Sequence, residues 1–220
     1  MRKYYILLIA FAVAFAGLIG CSDSNEPKSN LETSTLTYNG YTYKTVKIGN
    51  QWWLAENLRT TQYNDGTNIP NITNATQWET TQSGAYCTYD NDNQNIAKYG
   101  CLYNYYAVET GKLAPEGWRV ATTDDYEALI AFCGGADAAS KKLSSKTNWS
   151  GTDDYGFSAI PAGSRTFKQG SYVFEGVEYY TRFLTSTTAS TPLGFTIIEG
   201  TSTLDQYQSA IGASVRLIKE

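Results

Sequence analysis

The chain opens on Arg2 and Lys3 and then runs without a charge from Tyr4 to Gly20. Polar sequence takes over at Ser22. A basic start, an apolar run and a small residue before Cys21 predict a cleaved export signal over residues 1–20. The run is short for a spanning helix, which needs about 20 apolar residues. Residues 21–35 are Ser, Asp, Asn, Glu, Pro, Lys and Thr with almost nothing apolar. Such a stretch buries too little surface to offset its ordering entropy, so it is expected to be a flexible tether. Apolar patterning begins again near Leu36, and residues 36–220 are expected to form a single globular domain.

Within that domain the first period is two. Leu36–Tyr38 and Tyr41–Tyr43 flank Asn39-Gly40, the dipeptide of a tight hairpin turn. Val46–Ile48 and Gln51–Leu54 flank Gly49-Asn50 and predict a second hairpin. Asn64-Asp65-Gly66-Thr67 has turn chemistry, and from there to Gln82 the polar sequence predicts an irregular surface loop. Ala85–Tyr89 and Gly100–Val108 are expected to be strands or extended segments on either side of the polar run Asp90–Asn95. At Thr122 the period changes to helical. Thr122 with Asp125 forms a capping-box-like start, Tyr126, Leu129, Ile130 and Cys133 form one stripe, and Gly134-Gly135 ends it. A shorter helix is expected over Ala136–Ser144. Strands are expected near Phe157–Pro161, Tyr172–Tyr180, Phe195–Ile198 and Ser214–Ile218. Strands, then helices, then strands make an α+β pattern.

Composition narrows the chemistry. The chain has 18 Tyr and 5 Trp but only 17% charged residues, a balance suited to an extracellular β-rich domain. Net charge is −4 and there is no basic face, so nucleic acid is not an expected partner. Histidine is absent, which excludes Ser-His-Asp triads, Cys-His pairs and His-ligated metals. Carboxylate, tyrosine, lysine and cysteine chemistry remain. Beyond Cys21 the cysteines are Cys87, Cys101 and Cys133. In an oxidising compartment Cys87 and Cys101 are expected to pair, contributing roughly 3 kcal/mol. Cys133 lies on the helical stripe and is expected in the core.

Two resemblances sharpen this reading. Leu18-Ile19-Gly20-Cys21 resembles the lipobox of bacterial lipoproteins, which implies that Cys21 carries diacylglycerol and anchors the chain to a membrane, and Asp23 and Glu26 behind it resemble the surface-export signal of Bacteroidetes lipoproteins, which implies an outer-membrane, surface-exposed setting. The block Val46-Lys47-Ile48-Gly49-Asn50-Gln51-Trp52-Trp53-Leu54-Ala55-Glu56-Asn57-Leu58 resembles the opening signature of the Fibrobacter succinogenes major paralogous domain. Leu102–Val108, Pro115–Val120, Gly151–Ala159 and the closing Ala213-Ser214-Val215-Arg216-Leu217 follow in the same order. The resemblance implies a C-type-lectin-like or formylglycine-generating-enzyme-like domain of mixed short antiparallel strands with one or two helices, in an envelope setting. It brings no established activity. Cysteines that the family carries are replaced here by Ala114 and Leu217, which implies Cys87–Cys101 as a substitute clamp. Formylglycine-generating chemistry would need a late cysteine pair, and nothing after Cys133 is cysteine.

Candidate sites are few. Trp52, Trp53 and Trp118 are read as core in preference to sugar-stacking platforms. Asp90, Asp92 and Asn93 offer oxygen ligands for calcium, but Gln94, Asn95 and Cys101 break the loop pattern, so a solvated turn is preferred and no cofactor is expected. Asp153-Asp154 are read as turn residues rather than an acid–base pair. In lectin-like folds the ligand surface lies in the C-terminal half, which here offers Tyr172, Glu175, Tyr179, Tyr180, Arg182, Asp205 and Tyr207. The expected function is a non-catalytic recognition module for a glycan or an envelope protein. The alternatives are a structural envelope component and a glycoside hydrolase built on two carboxylates about 5–10 Å apart.

Overall fold

The structure is a computed structural model and describes residues 31–187 and 191–220. Cys21, the expected export signal over residues 1–20 and residues 21–30 of the expected 21–35 tether lie outside the described residues. Leu31–Glu220 form one compact unit, mostly strand with a few short helices, in keeping with the α+β expectation.

Strands β1 (Thr33–Tyr38), β2 (Tyr41–Ile48) and β3 (Gln51–Leu54) form the two expected hairpins. Asn39 and Gly40 supply the positive φ angles of the first turn, 46° and 76°. β1 starts at Thr33 rather than Leu36, because Thr33–Thr35 continue the ladder opposite Lys44–Val46. The closing strand β12 (Leu217–Lys219) inserts beside β3, and β6 (Trp118–Val120) completes a sheet of order β1-β2-β3-β12-β6. Successive residues of a strand face opposite ways. Trp53 and Ile218 therefore enter one core while Leu54 and Leu217 enter another, and the sheet is covered on both faces.

A second sheet has order β11-β10-β9-β7-β8, from β7 (Ala162–Lys168), β8 (Ser171–Val177), β9 (Tyr180–Leu184), β10 (Leu193–Ile198) and β11 (Thr201–Gln206). Phe183, Phe195 and Ile197 leave it for the core that holds Trp53, Tyr126 and Phe157. Trp53 and Tyr126 lie 5.2 Å apart there, and Tyr126 stacks on Phe195 at 4.6 Å.

Helix α4 (Thr123–Cys133) follows its sequence signals. The Asp125 N–H donates to the Thr122 hydroxyl, the Thr122 N–H donates back to the Asp125 carboxylate, and Gly134 closes the helix at φ 94°. Tyr126, Leu129 and Cys133 are buried. Helix α5 (Ala136–Leu143) packs next, also as expected.

Other elements depart from the sequence reading. The loop expected over residues 67–82 contains helix α1 (Ala75–Thr80), capped by Asn74 and pinned by fully buried Trp78. Six residues with one apolar anchor leave no period to read. Gly100–Val108 divides into β5 (Leu102–Tyr103) and helix α3 (Tyr105–Glu109), because buried Asn104 accepts from the Ala107 N–H and starts a helix. Helix α2 (Ile96–Tyr99) ends the polar run. Phe157–Pro161 forms no strand beyond a bridge at Ala159, and Tyr172–Tyr180 is split by a turn with Glu178 at φ 72°.

The expected Cys87–Cys101 bridge is not formed. Both are buried free thiols. β4 (Tyr86–Cys87) pairs with β5 so that Cys87 faces Leu102. Cys101, one residue away, points through the other side of this ribbon. Cys87 packs with Leu102 and Trp78, and Cys101 packs with Tyr103 and Tyr43. Spacing in sequence had suggested a clamp, but strand alternation puts the two sulfurs in different cores.

Candidate functional site

The aromatic and charged residues expected to bind ligand fall into three groups. Pairing aligns Ser164 with Glu175, Arg182 with Thr196 and Thr196 with Thr203, which places these side chains on one face of the second sheet. The Arg182 guanidinium lies between the rings of Tyr180 (4.6 Å) and Tyr207 (5.8 Å) and donates to the Ser164 hydroxyl at 3.2 Å. The Tyr180 hydroxyl contacts Ser164 and donates to Glu175, whose other oxygen accepts from Lys168. Tyr207 lies flat over Gly194, where a Cβ would stand 1.9 Å from the ring, and its hydroxyl pairs with Thr196 at 2.6 Å. Burial pushes the Tyr180 and Tyr207 phenols up. Asp205 takes the Thr203 hydroxyl. These groups bond to one another across the sheet, although the buried Arg182 Nε has no partner among the described residues. Tyr172 is on the opposite face, buried with Phe174 and Trp78. Tyr179 stands alone in the β8–β9 turn, 74% exposed.

A cleft lies elsewhere. It measures about 770 Å³ and opens between the β1–β2 hairpin, the segment after β3 and the loop at residues 145–160. Its floor is Arg216, fully buried just before β12. Arg216 Nε donates to Asn57 Oδ1 at 2.9 Å, and Nη1 donates to the carbonyls of Leu54 (2.7 Å) and Phe157 (2.8 Å). Nη2 has a longer contact, 3.3 Å, to the Ser158 carbonyl. No carboxylate among the described residues forms an ion pair with it. Burial accordingly lowers its pKa to about 10. Asn57 is fixed in turn by donating to the Tyr99 carbonyl and the Ser214 hydroxyl.

Two carboxylates line the walls. Glu56 accepts from the Tyr41 hydroxyl, the Lys44 N–H and Arg59, whose guanidinium lies 4.0 Å over the Tyr41 ring. Asp153, at φ 50°, accepts the N–H and hydroxyl of Ser158, the turn role expected for it. Lys44, Lys98 and Lys146 stand around the opening.

Sequence reasoning missed this cleft, although its parts were in view. Glu56 and Asn57 belong to the opening block, Asp153 and Ser158 to the Gly151–Ala159 block, and Arg216 to the closing block. The one available signal was a polar side chain inside each otherwise structural block. Only the fold brings the three together on one guanidinium.

A family model described as Fibrobacter succinogenes major domain matches residues 46–219. The chain belongs to that family. Comparison with curated proteins and with solved structures returned no match. The Fibrobacter succinogenes major domain therefore contributes the floor and the 145–160 wall of the cleft, while Tyr41 and Lys44 precede the matched segment. Of the tryptophans in its blocks, Trp53 is fully buried, and Trp52 and Trp118 are half-buried. The Asp90–Asn93 run forms turns in which Asp92 accepts the Gln94 N–H. Among the described residues no group of three or more Cys, Asp or Glu side chains is placed to hold a metal.

Proposed function

We propose that the chain is a lipid-anchored envelope protein that displays a non-catalytic recognition domain, with the cleft above Arg216 as its ligand site. The observation that carries the reading is the cleft itself: about 770 Å³, with hydroxyls, amides and charged groups set among apolar side chains such as Val46 and Ile160. That lining suits a polar, hydroxyl-rich ligand, and a glycan is the ligand class we favour. The non-catalytic part of the proposal rests on Glu56 and Asp153. Both oxygens of each are occupied by protein donors, so neither is offered as an acid or a nucleophile. The C-type-lectin-like placement of the fold is part of the same proposal, supported by its mix of short antiparallel strands with two longer helices. Lipid anchoring is supported by the lipobox-like end at Cys21, and display at the outer membrane by Asp23 and Glu26 just behind it.

The test is a glycan array probed with the lipidated chain in detergent micelles. Binding is expected, and it is expected to weaken with Asn148→Ala in the cleft wall while surviving Tyr179→Ala in the distant turn. The opposite pattern would move the site to the β8–β9 turn. Silence across the array would leave an envelope protein as the partner.

A further inference from the structure

Resting on the reading of this cleft as a glycan site, we infer that its ligand is an anionic glycan. The chain as a whole is acidic, at −4, yet the cleft is lined by five cations and two carboxylates. Both carboxylates are engaged. Glu56 is paired with Arg59, and Asp153 is held by Ser158. Lys44, Lys98 and Lys146 form no ion pair with any described residue. Beneath them Arg216 is buried among carbonyls and an amide rather than against a carboxylate. Glu56 and Asp153 act on Arg216 without pairing with it directly, so the five cations outnumber the two carboxylates and the cleft keeps a net positive charge that attracts an anion.

The rest of the lining limits what kind of anion fits. Thr42 and Asn148 present hydroxyl and amide groups that match sugar hydroxyls. Tyr41 is the one aromatic ring that lines the cleft, and Arg59 covers it at 4.0 Å, so successive bases have no stacking platform. The apolar contribution comes from Val46, Ala55, Ala97 and Ile160, interspersed with the cations rather than segregated from them in sequence. A uronate-bearing or sulfated oligosaccharide satisfies both the hydroxyls and the charge.

Calorimetric titration of the lipidated chain in micelles tests this with four probes. They are an α-1,4-galacturonate tetramer, a heparin-derived tetrasaccharide, the galacturonate tetramer with its carboxyls reduced to hydroxymethyl groups, and a glutamate tetrapeptide. At least one acidic saccharide is expected to bind about tenfold or more tighter than the reduced tetramer, equivalent to roughly 1.4 kcal/mol. Its affinity should fall between about 0.05 M and about 0.5 M salt. Both acidic saccharides carry carboxylates, so binding of the heparin fragment alone would assign recognition to sulfate, and binding of the galacturonate tetramer would show that carboxylates suffice. A Lys44→Gln, Lys98→Gln, Lys146→Gln variant with an unchanged circular dichroism spectrum should lose about tenfold or more, while Lys112→Gln outside the cleft should lose nothing. Equal binding of the reduced tetramer, full affinity in the triple variant, or binding of the peptide alone overturns the inference. If only neutral saccharides bind, glycan recognition stands and the anionic assignment fails. If no saccharide binds, both fail.

Discussion

Asp125 shows how one side chain can serve two levels of structure. Burial raises its pKa, but donors from Arg119 and Thr122 outweigh that and hold it below the usual carboxylate value. The same carboxylate closes the capping box of α4 and pairs with Arg119 at 2.9 Å across to β6. Its folded pKa is lowered, so its contribution is present above an unfolded value of about 3.9 and is lost as pH falls through the folded value. Asp125→Asn is expected to cost about 1–3 kcal/mol at neutral pH, read by urea unfolding. The gap between wild type and variant should close as the pH is taken below about 4. Buried Arg216 has the opposite character: burial lowers its pKa to about 10 with no ion-pair partner among the described residues.

At the scale of elements, the β4–β5 ribbon decides the redox chemistry. Alternation sends Cys87 and Cys101 into separate cores, and burial pushes both thiols up to about 12. Cys133, inside α4, is pushed up to about 11, again by burial first. A disulfide reagent such as dithionitrobenzoate is expected to find none of these three thiols in the native chain and all three in guanidinium. Reductant should leave the unfolding midpoint where it was. A native mass two hydrogens short, or a midpoint lowered by reductant, would restore the clamp. The helices vary in how openly the sequence announces them. α4 repeats its apolar stripe over three turns and carries caps at both ends, so it is plain in the sequence. α1 rests on Trp78 alone, whose burial depends on Arg165 stacking 4.7 Å away and on the Ala210 carbonyl, both distant in sequence.

At the scale of the whole molecule, β12 brings the chain's end between β3 and β6. The segment just before β12 bridges to Tyr103, Arg165 and Phe183, so the ribbon and the second sheet are tied to the first through it. β1 begins at Thr33, close behind the tether, and its first residues line the cleft. Labelling cells with a palmitate analogue is expected to mark the wild type and leave Cys21→Ala unmarked and released from the membrane fraction. Equal labelling of the two would remove the anchor from the proposal.

What the sequence determined by itself is what local period and local chemistry encode. The two N-terminal hairpins, helix α4 with its caps, helix α5, the core positions of Trp53 and Cys133, and the family blocks were all legible, because each is specified within a dozen or so residues. The tertiary structure decided the rest. It alone set which face each strand turned inward, and so separated Cys87 from Cys101 and Tyr172 from Tyr180. It also joined Asn57 to Arg216 across most of the chain, and a cleft made by that joining has no period to read. Contacts between residues far apart in sequence depend on strand order and register, and those are settled when whole faces are buried together.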